Sequence, residues 1–191
     1  MNSELIIDAS SSEVSIALVE DKRLVELNKE KKENSFSVGD IYLGRVKKLM
    51  PSLNAAFVDI GYEKDAFLHY LDLGPQVQSL LKFMKTTVSG SQPEALLNNF
   101  EIEPDINKAG KIGQVLSQNM NIMVQIAKEP ISTKGPRITS ELSFAGRFVV
   151  LVPFSDIVSV SQKIKSSVER QRLKRLAQSI KPRNFGIIVR T

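Results

Sequence analysis

The 191-residue sequence contains no cysteine and a single histidine, and these two shortages exclude several kinds of chemistry. Without cysteine there is no disulfide framework and no cysteine-ligated zinc site within these residues. With one histidine there is no Ser/His/Asp grouping that would indicate a nucleophilic triad. The acidic residues are scattered, without the spacing of a dedicated metal cluster. The sequence therefore predicts no catalytic residue and no metal ligand within the chain.

Long hydrophobic runs are missing as well. The N-terminus, MNSELIIDASSSE, carries acids early and has no apolar run behind a basic cluster, so it does not resemble a secretory leader. No window approaches the roughly 18 apolar residues of a membrane span. Hydrophobic residues make up 42% and charged residues 25% of the chain, which is typical of a globular protein. We therefore expect a cytoplasmic protein with no membrane contact.

The net charge of +5 is unevenly distributed. From Glu141 to Thr191 there are ten Lys and Arg residues against three Asp and Glu, whereas the preceding 140 residues carry sixteen against eighteen. A basic block attached to a nearly neutral body favours a polyanionic partner such as RNA, DNA or a phosphate group. A solvated basic helix face would give the same composition, and charge alone does not decide between the two.

The first two-fifths of the chain predict β structure. Residues 4–31 contain three strand-like runs (LIID, EVSIALVE, RLVELNKEK) with turns at SSS and EDK, a meander too small to bury its own face. From Val38 the short strands DIYLGRVKKLM, LNAAFVDI, DAFLHY and, later, NIMVQIAKE alternate with turn signals. Short strands at this spacing predict a small sandwich or barrel.

The stretch between Leu73 and Gly113 differs in character and predicts an insertion between barrel strands. It contains a short helix (QVQSLLKFMK), a turn-forming run (TTVSGSQPE) and a loop-like run (FEIEPDINKAGK). After TKGPR, the segment ITSELSFAGRFVVLVP is rich in strand-forming residues. SSVERQRLKRLAQSI predicts a helix, because Ser166 and Glu169 form a capping-box pair and apolar residues recur at helical spacing. FGIIVRT predicts a final strand.

Two phenylalanines are the strongest binding candidates. Phe57 and Phe67 lie on neighbouring predicted strands with Lys64 between them, and His69 shares a strand face with Phe67. Exposed aromatics beside cations form a platform on which unpaired bases stack. Both phenylalanines are also compatible with a buried core, and the pattern alone favours the core because Phe is more often buried. His69 by itself has no special signal.

Two further pairs of residues also have both a functional and a purely structural interpretation. Lys134 and Arg137 flank a glycine in TKGPR and form either a phosphate contact or a solvated turn, with the turn favoured. Asp59 and Asp65 flank a turn and are able to approach each other. An acid–base role for that pair is the weaker alternative to a turn or surface role.

The barrel sequence and its flanking segments resemble a known protein family. VGDIYLGRV followed by PSLNAAFVDIGYEKDAFLHYLDL resembles the S1 RNA-binding domain of the ribonuclease E/G family. ELIIDASSSEVSIALVEDKRLVEL resembles the opening strands of that family, TKGPRITSELSFAGRFVVLVP the junction after its S1 domain, and GIIVRT a strand of its 5′-sensor region. These four segments occur in the family's order, and the resemblance as a whole extends over nearly the whole chain.

The resemblance implies an α+β fold that is mostly β. An S1-type OB-fold five-stranded barrel is inserted after an N-terminal β meander, a partial RNase H-like subdomain, and is followed by a partial α/β 5′-sensor region. The implied domains are residues 1–36, residues 37–139 with the insertion at about 74–112, and residues 140–191.

The resemblance also assigns roles to residues. Phe57 and Phe67 match the family's RNA-stacking aromatics, Lys134 matches its basic RNA contact, and His69 matches a histidine on the binding face of S1 domains. This reverses the preference for buried phenylalanines. The pair that grips the 5′-monophosphate is matched by Arg190 and Thr191. Its pocket is shaped by the counterparts of Gly146 and Val150.

The implied function is the RNA-binding and 5′-monophosphate-sensing part of a ribonuclease G-type endoribonuclease that acts on single-stranded RNA. For the full-length family member the resemblance implies Mg²⁺, structural zinc and a homo-oligomer. The family's catalytic aspartates and zinc-binding cysteines follow the position of Thr191, so we expect these 191 residues to be inactive alone. The alternatives are a stand-alone S1-domain RNA-binding adapter without catalysis, and a basic C-terminal helix that docks on protein and not on RNA.

Overall fold

A computed structural model of the chain describes residues 2–10, 12–31, 36–91 and 97–191. The chain divides into two compact units, Met1–Ser37 and Val38–Thr191. The domain bounds expected from the sequence stay a prediction.

The first unit is an antiparallel sheet of three strands in the order β1-β2-β3. The strands are β1 (Ser3–Ala9), β2 (Glu13–Glu20) and β3 (Arg23–Lys31), which confirms the three predicted strands. Asp21 and Lys22 make the β2–β3 turn with φ of 47° and 66°, the left-handed pair that matches the twist of a two-residue hairpin. The side chains of Leu5 and Leu27 are 63% and 52% exposed, so the sheet has little core of its own. Its likeness to an RNase H-like subdomain stays a prediction.

The second unit begins with a closed barrel of five strands, which confirms the predicted five-stranded barrel. The strands are β4 (Ile41–Met50), β5 (Ala55–Asp59), β6 (Ala66–His69), β7 (Asn121–Lys128) and β8 (Arg137–Thr139). They close in the order β4-β5-β6-β8-β7, and only the β6–β8 pair is parallel. Val46, Val58, Leu68, Val124 and Ile138 are fully buried and form its interior.

The insertion between β6 and β7 contains helix α1 (Val77–Val88), which confirms the predicted helix and extends it by three residues. The predicted turn TTVSGSQPE therefore begins inside the helix, and its residues 92–94 lie outside the described residues. Asn54, at φ 49°, holds the far end of the insertion: its Nδ2 donates to Gly110 O at 3.1 Å and its Oδ1 accepts from Ile112 N at 2.7 Å. Tyr70 adds a third link, because its hydroxyl donates to Asn107 O at 2.5 Å.

The same insertion builds a second hydrophobic core with the C-terminal part of the chain. The rings of Phe83, Phe100 and Phe154 pack with centroids 5.4–5.9 Å apart. Buried Asn184, at φ 64°, donates from Nδ2 to Leu97 O and Phe100 O at 2.8 and 2.7 Å. The insertion is thus fixed both to the barrel and to the C-terminal sheet.

That sheet has four strands in the order β11-β12-β10-β9. They are β9 (Phe144–Ala145), β10 (Val149–Pro153), β11 (Val158–Val160) and β12 (Phe185–Val189). Helix α2 (Ser167–Ile180) connects β11 to β12, which run parallel. Strand β11 was not predicted from the sequence.

Helix α2 confirms the helix predicted from SSVERQRLKRLAQSI, with half of its capping box. Ser166 Oγ accepts from Glu169 N at 3.3 Å, but the Glu169 carboxylate accepts from Arg172 and does not return to the cap. Ala177 is buried, whereas Ile180 is 63% exposed. No helix in the described part of the chain is long and apolar enough to span a lipid bilayer.

Candidate nucleic-acid interface

The outer face of the barrel carries the two candidate phenylalanines. Along β5 the side chains of Ala56 and Val58 point inward and are fully buried, so Phe57 between them points outward and is only half-buried. Phe67 alternates in the same way on β6. The two strands pair with Phe57 directly opposite Phe67, and their ring centroids are 5.9 Å apart at 67°. The structure therefore places both rings on the surface, in edge-to-face contact.

A cation stands at each end of this pair. Phe57 pairs across to Lys48 on β4, and Phe67 pairs across to Arg137 on β8. A bulge between Val46 and Lys48 sets this register. The four residues Lys48, Phe57, Phe67 and Arg137 form a single row across four strands, here called the aromatic row. It places two adjacent aromatic rings between two cations, and neighbouring members lie one strand spacing apart, about 4.8 Å.

Arg137 is held in place by an acid. Its Nε and Nη2 donate to the two carboxylate oxygens of Asp72 at 2.9 and 3.0 Å. This bidentate geometry fixes the plane of the guanidinium beside Phe67. The positive charge at this end of the row is therefore partly compensated, whereas Lys48 has no ion-pair partner among the described residues.

His69 lies two residues beyond Phe67 on the same outer face of β6. Its Nδ1 accepts a hydrogen bond from Leu71 N at 3.2 Å and so caps the short 3₁₀ turn Tyr70–Asp72. The second ring nitrogen, Nε2, takes no part in this cap. His69 thus ends the strand and offers one ring nitrogen beside the aromatic row.

Lys134 lies on an exposed segment that runs beside the start of β6. Two residues later, Pro136 O accepts from Phe67 N at 2.9 Å. Gly135 makes the approach tight: a Cβ atom there would stand 2.2 Å from the carbonyl oxygen of Asp65. The structure therefore brings Lys134 next to the strand that carries Phe67 and His69.

Asp59 and Asp65 do approach each other, and Lys47 lies between them. Its ammonium is 3.3 Å from Asp59 and 3.0 Å from Asp65, and these contacts, that of Asp65 foremost, raise the pKa of Lys47. The backbone N–H of Gly61, followed by Lys47, lowers the pKa of Asp59. The cluster is an ion-pair network that pins the β5–β6 turn. Within the described residues no three His, Cys, Asp or Glu side chains are grouped closely enough to hold a metal ion.

The residues matched to a 5′-phosphate pocket meet at one end of the four-stranded sheet. Arg190 donates from Nη1 to Gly146 O at 2.8 Å and from its backbone N to Phe148 O at 2.7 Å. Val150 pairs with Ile188 on β12, two residues before Arg190. Thr191 follows Arg190 and is exposed. Arg190 and Gly146 are therefore in direct contact, Val150 lies nearby on β10, and Thr191 adjoins Arg190 along the chain.

Sequence reasoning missed two residues at these sites. Lys48 is one of two adjacent lysines, and only the bulge decides that it, and not Lys47, faces Phe57. Phe148 lies in the β9–β10 hairpin, 68% exposed, with the Arg147 guanidinium 5.2 Å from its ring centroid. The sequence signal that could have identified Phe148 is an aromatic residue in a turn, where a buried side chain is not expected.

The closed five-strand barrel makes this an OB-like barrel protein. The model of the Ribonuclease E/G family matches residues 143–191. Ribonuclease G of Escherichia coli is 34% identical over 191 residues, all of this chain and 35% of the relative. Ribonuclease G of Haemophilus influenzae is 36% identical over 188 residues, which are 98% of this chain and 34% of the relative. Ribonuclease E of Synechocystis is 39% identical over 158 residues, which are 82% of this chain and 19% of the relative.

The chain belongs to the ribonuclease E/G family. It spans about a third of the length of the ribonuclease G relatives that it matches.

Proposed function

We propose that this chain is the single-stranded-RNA-binding and 5′-end-sensing part of a ribonuclease G-type endoribonuclease. The aromatic row carries the proposal. Two half-buried phenylalanines in register on the outer face of the barrel, with a cation at each end, suit unpaired nucleotides, because each base offers a π face and each nucleotide a phosphate.

In this proposal the barrel is an S1-type domain that holds RNA by its outer face. Phe57 and Phe67 stack bases, and their edge-to-face contact means that each ring presents a different plane to the strand. Lys48 and Lys134 contact phosphates on either side. His69 supplies one N–H donor to a base edge, a ribose hydroxyl or a phosphate. Such contacts fix position along the strand with little sequence preference.

The end of β12 is proposed to recognise a 5′-monophosphate. Arg190 uses one N–H to hold Gly146 O, which orients the guanidinium and leaves its other donors for phosphate oxygens. Thr191 adds a hydroxyl donor, and Val150 gives the pocket an apolar wall. A terminal monophosphate has more charge and more acceptor oxygens than a 5′-hydroxyl, so these donors favour it through charge-assisted hydrogen bonds.

RNA hydrolysis is proposed for the whole protein and not for residues of this chain. The resemblance implies Mg²⁺ for the reaction and zinc between subunits of a homo-oligomer. The residues described here do not fit Mg²⁺, because no three of their His, Asp or Glu side chains are grouped closely enough to hold a metal ion, and Asp59 and Asp65 already share Lys47. The sequence has no cysteine to hold zinc. The expected cytoplasmic location stays a prediction.

Leucine substitution tests the stacking proposal. Phe57→Leu and Phe67→Leu keep apolar bulk on the barrel but remove the π face, and a lost base stack costs about 1–3 kcal/mol, roughly 5–150-fold in Kd. Affinity for a fluorescein-labelled uridine 12-mer is measured by anisotropy, with thermal unfolding as the check on folding. Phe144→Leu, on exposed β9, is the matched control and should change Kd by less than about twofold. Unchanged affinity in folded Phe57→Leu and Phe67→Leu variants would contradict the proposal.

A further inference from the structure

A groove separates edge strand β11 from helix α2, on the opposite side of β12 from the Arg190 cluster. Its volume is about 640 Å³. Three cationic side chains line it, Lys165, Arg170 and Lys174, here called the groove cations. Ser159 and Ser161 lie opposite them on and just after β11.

Among the residues that the structure describes, the groove cations have no counter-ion. Of the three acids between Glu141 and Thr191, Asp156 pairs with Lys181 at 2.8 Å and Glu169 with Arg172 at 2.7 Å. None of the three acids lines the groove. Within the described part of the chain, no carboxylate lies within 4.0 Å of a groove cation. The basic excess seen in the sequence is therefore concentrated, in part, along one concave surface.

The other lining groups indicate what kind of ligand suits that charge. Serine hydroxyls and the amides of Gln162 and Gln171 donate hydrogen bonds that phosphate oxygens and 2′-hydroxyls accept. The floor is aliphatic, from Val158, Val160 and Ile188, and no aromatic residue is among the lining residues. A site with cations and donors but no stacking surface grips a nucleic-acid backbone and does not read its bases.

The groove also adjoins the proposed 5′-end site. Ser161 N donates to Val189 O at 2.9 Å, so the β11 side of the groove reaches the same end of β12 as Arg190. Arg170 and Lys174 stand one helical turn apart, about 6 Å along the axis of α2, so they contact different phosphates of one strand.

We propose that this groove is a second RNA site, which binds the phosphodiester backbone of single-stranded RNA without sequence preference. The inference rests on the proposed RNA-binding function and adds to it a track distinct from the aromatic row. An acidic protein segment is the competing occupant, and the experiment separates the two.

The experiment compares two triple variants that each remove three positive charges from the same part of the chain. Lys165→Gln/Arg170→Gln/Lys174→Gln removes the groove cations, and Lys163→Gln/Arg175→Gln/Arg183→Gln removes exposed cations that do not line the groove. Glutamine keeps helix propensity on α2. Binding of a uridine 20-mer is measured by anisotropy over a range of salt concentrations. The slope of log K against log salt should become shallower by about 2 in the groove variant, since each phosphate contact contributes about 0.7.

We expect the groove variant to bind RNA at least about tenfold more weakly than the charge-matched control at moderate salt. Equal affinity and equal salt slope in the two variants would overturn the inference. The same conclusion would follow if the groove variant lost binding to a glutamate-rich peptide but kept its RNA affinity. If the unmodified chain bound no RNA at all, the proposed function itself would fail; if Phe57→Leu and Phe67→Leu lose affinity while the groove variant matches its control, only this inference fails.

Backbone amide shifts give a test that does not depend on the variants folding. In the unmodified chain, titration with uridine 20-mer should shift the amide resonances of Ser159, Gln162 and Gln171 with the same saturation curve as Phe57 and Phe67. Shifts confined to the barrel amides would overturn the inference and leave the aromatic row in place.

Discussion

Gly135 provides a sharp test of how the barrel presents Lys134 and Phe67, because its backbone touches the backbone of the β5–β6 turn. A Cβ atom at this position would stand 2.2 Å from Asp65 O and 3.0 Å from Lys64 O. Ordinary contacts begin near 3.4 Å. In Gly135→Ala the segment must therefore retreat by about 1 Å, since the obstacle is backbone and not the end of a flexible side chain.

The retreat has a calculable effect on stability. It stretches the 2.9 Å hydrogen bond from Phe67 N to Pro136 O beyond bonding distance. Losing that bond costs about 0.5–1.5 kcal/mol, and overpacking costs about 1–3 kcal/mol. Alanine also reduces the entropy of the unfolded chain, which offsets about 0.4–1 kcal/mol. The free energy of unfolding should fall by about 0.5–4 kcal/mol overall, and Lys134 should lose its place beside the aromatic row.

The chain supplies both the probe and the control. It has no tryptophan and three tyrosines, Tyr42, Tyr62 and Tyr70, all in the Val38–Thr191 unit, so tyrosine fluorescence during urea unfolding reports on that unit alone. Gly113→Ala is the matched control, because a Cβ atom there meets no heavy atom within 4 Å. It should change stability by no more than about 0.5–1 kcal/mol. If the two variants unfold at the same urea concentration, the close approach inferred for Gly135 is wrong.

Four further outcomes are expected. Arg190→Gln should abolish any preference for 5′-monophosphate over 5′-hydroxyl RNA, measured as the ratio of the two Kd values. Arg190→Lys should retain only part of the preference, because an ammonium group lacks the planar fork of a guanidinium. An unchanged ratio of Kd values in Arg190→Gln would argue against the proposed 5′-end site. Lys47→Met should raise the pKa of Asp59, followed by NMR, but not fully to its ordinary value, because the Gly61 N–H remains. Since the lowered pKa of Asp59 stabilises the fold above its ordinary pKa and this contribution is lost as the pH falls, the stability difference between Lys47→Met and the unmodified chain should shrink in acid. Asn54→Ala should destabilise the barrel unit by about 1–3 kcal/mol in urea, more than Asn54→Gly, which tolerates the left-handed backbone. Ser166→Ala should lower the free energy of unfolding by about 1 kcal/mol and reduce helix content by circular dichroism.

Local patterns predicted most of the regular structure. The β5 and β6 strands follow from short runs bounded by turns, and α2 follows from Ser166 and its helical apolar spacing. Strand β11 escaped prediction because three residues, Val158–Val160, give no period to recognise. Its place is set by pairing with β12, a contact between segments separated by a helix.

The candidate site was only partly predictable for a related reason. The alternation of Phe57 between Ala56 and Val58 shows that they face opposite ways, but sequence cannot say which face is inside until the barrel closes. The family resemblance placed Phe57 and Phe67 on the outer face of the barrel. In the structure both side chains are partly exposed, whereas their neighbours along the strands are buried. The position of Lys48 opposite Phe57 depends on the bulge in β4, which the sequence does not reveal. The ion pair between Lys47 and Asp59 depends on the same bulge. Such features depend on three-dimensional register, which local residue patterns do not encode.

The shared aromatic core of the insertion has a consequence for the proposed binding of RNA. Phe100 packs against Phe154, and Asn184 is hydrogen-bonded to the insertion, so the barrel and the four-stranded sheet belong to one compact unit. If RNA binds as proposed, a strand held at the aromatic row brings its 5′ end to the Arg190 cluster at an effective concentration set by the span between the two sites. An RNA too short for that span gains nothing from the second site, while one just long enough gains all of it. Affinity should therefore rise in a step with oligonucleotide length, and the position of the step would measure the distance between the two sites in nucleotides.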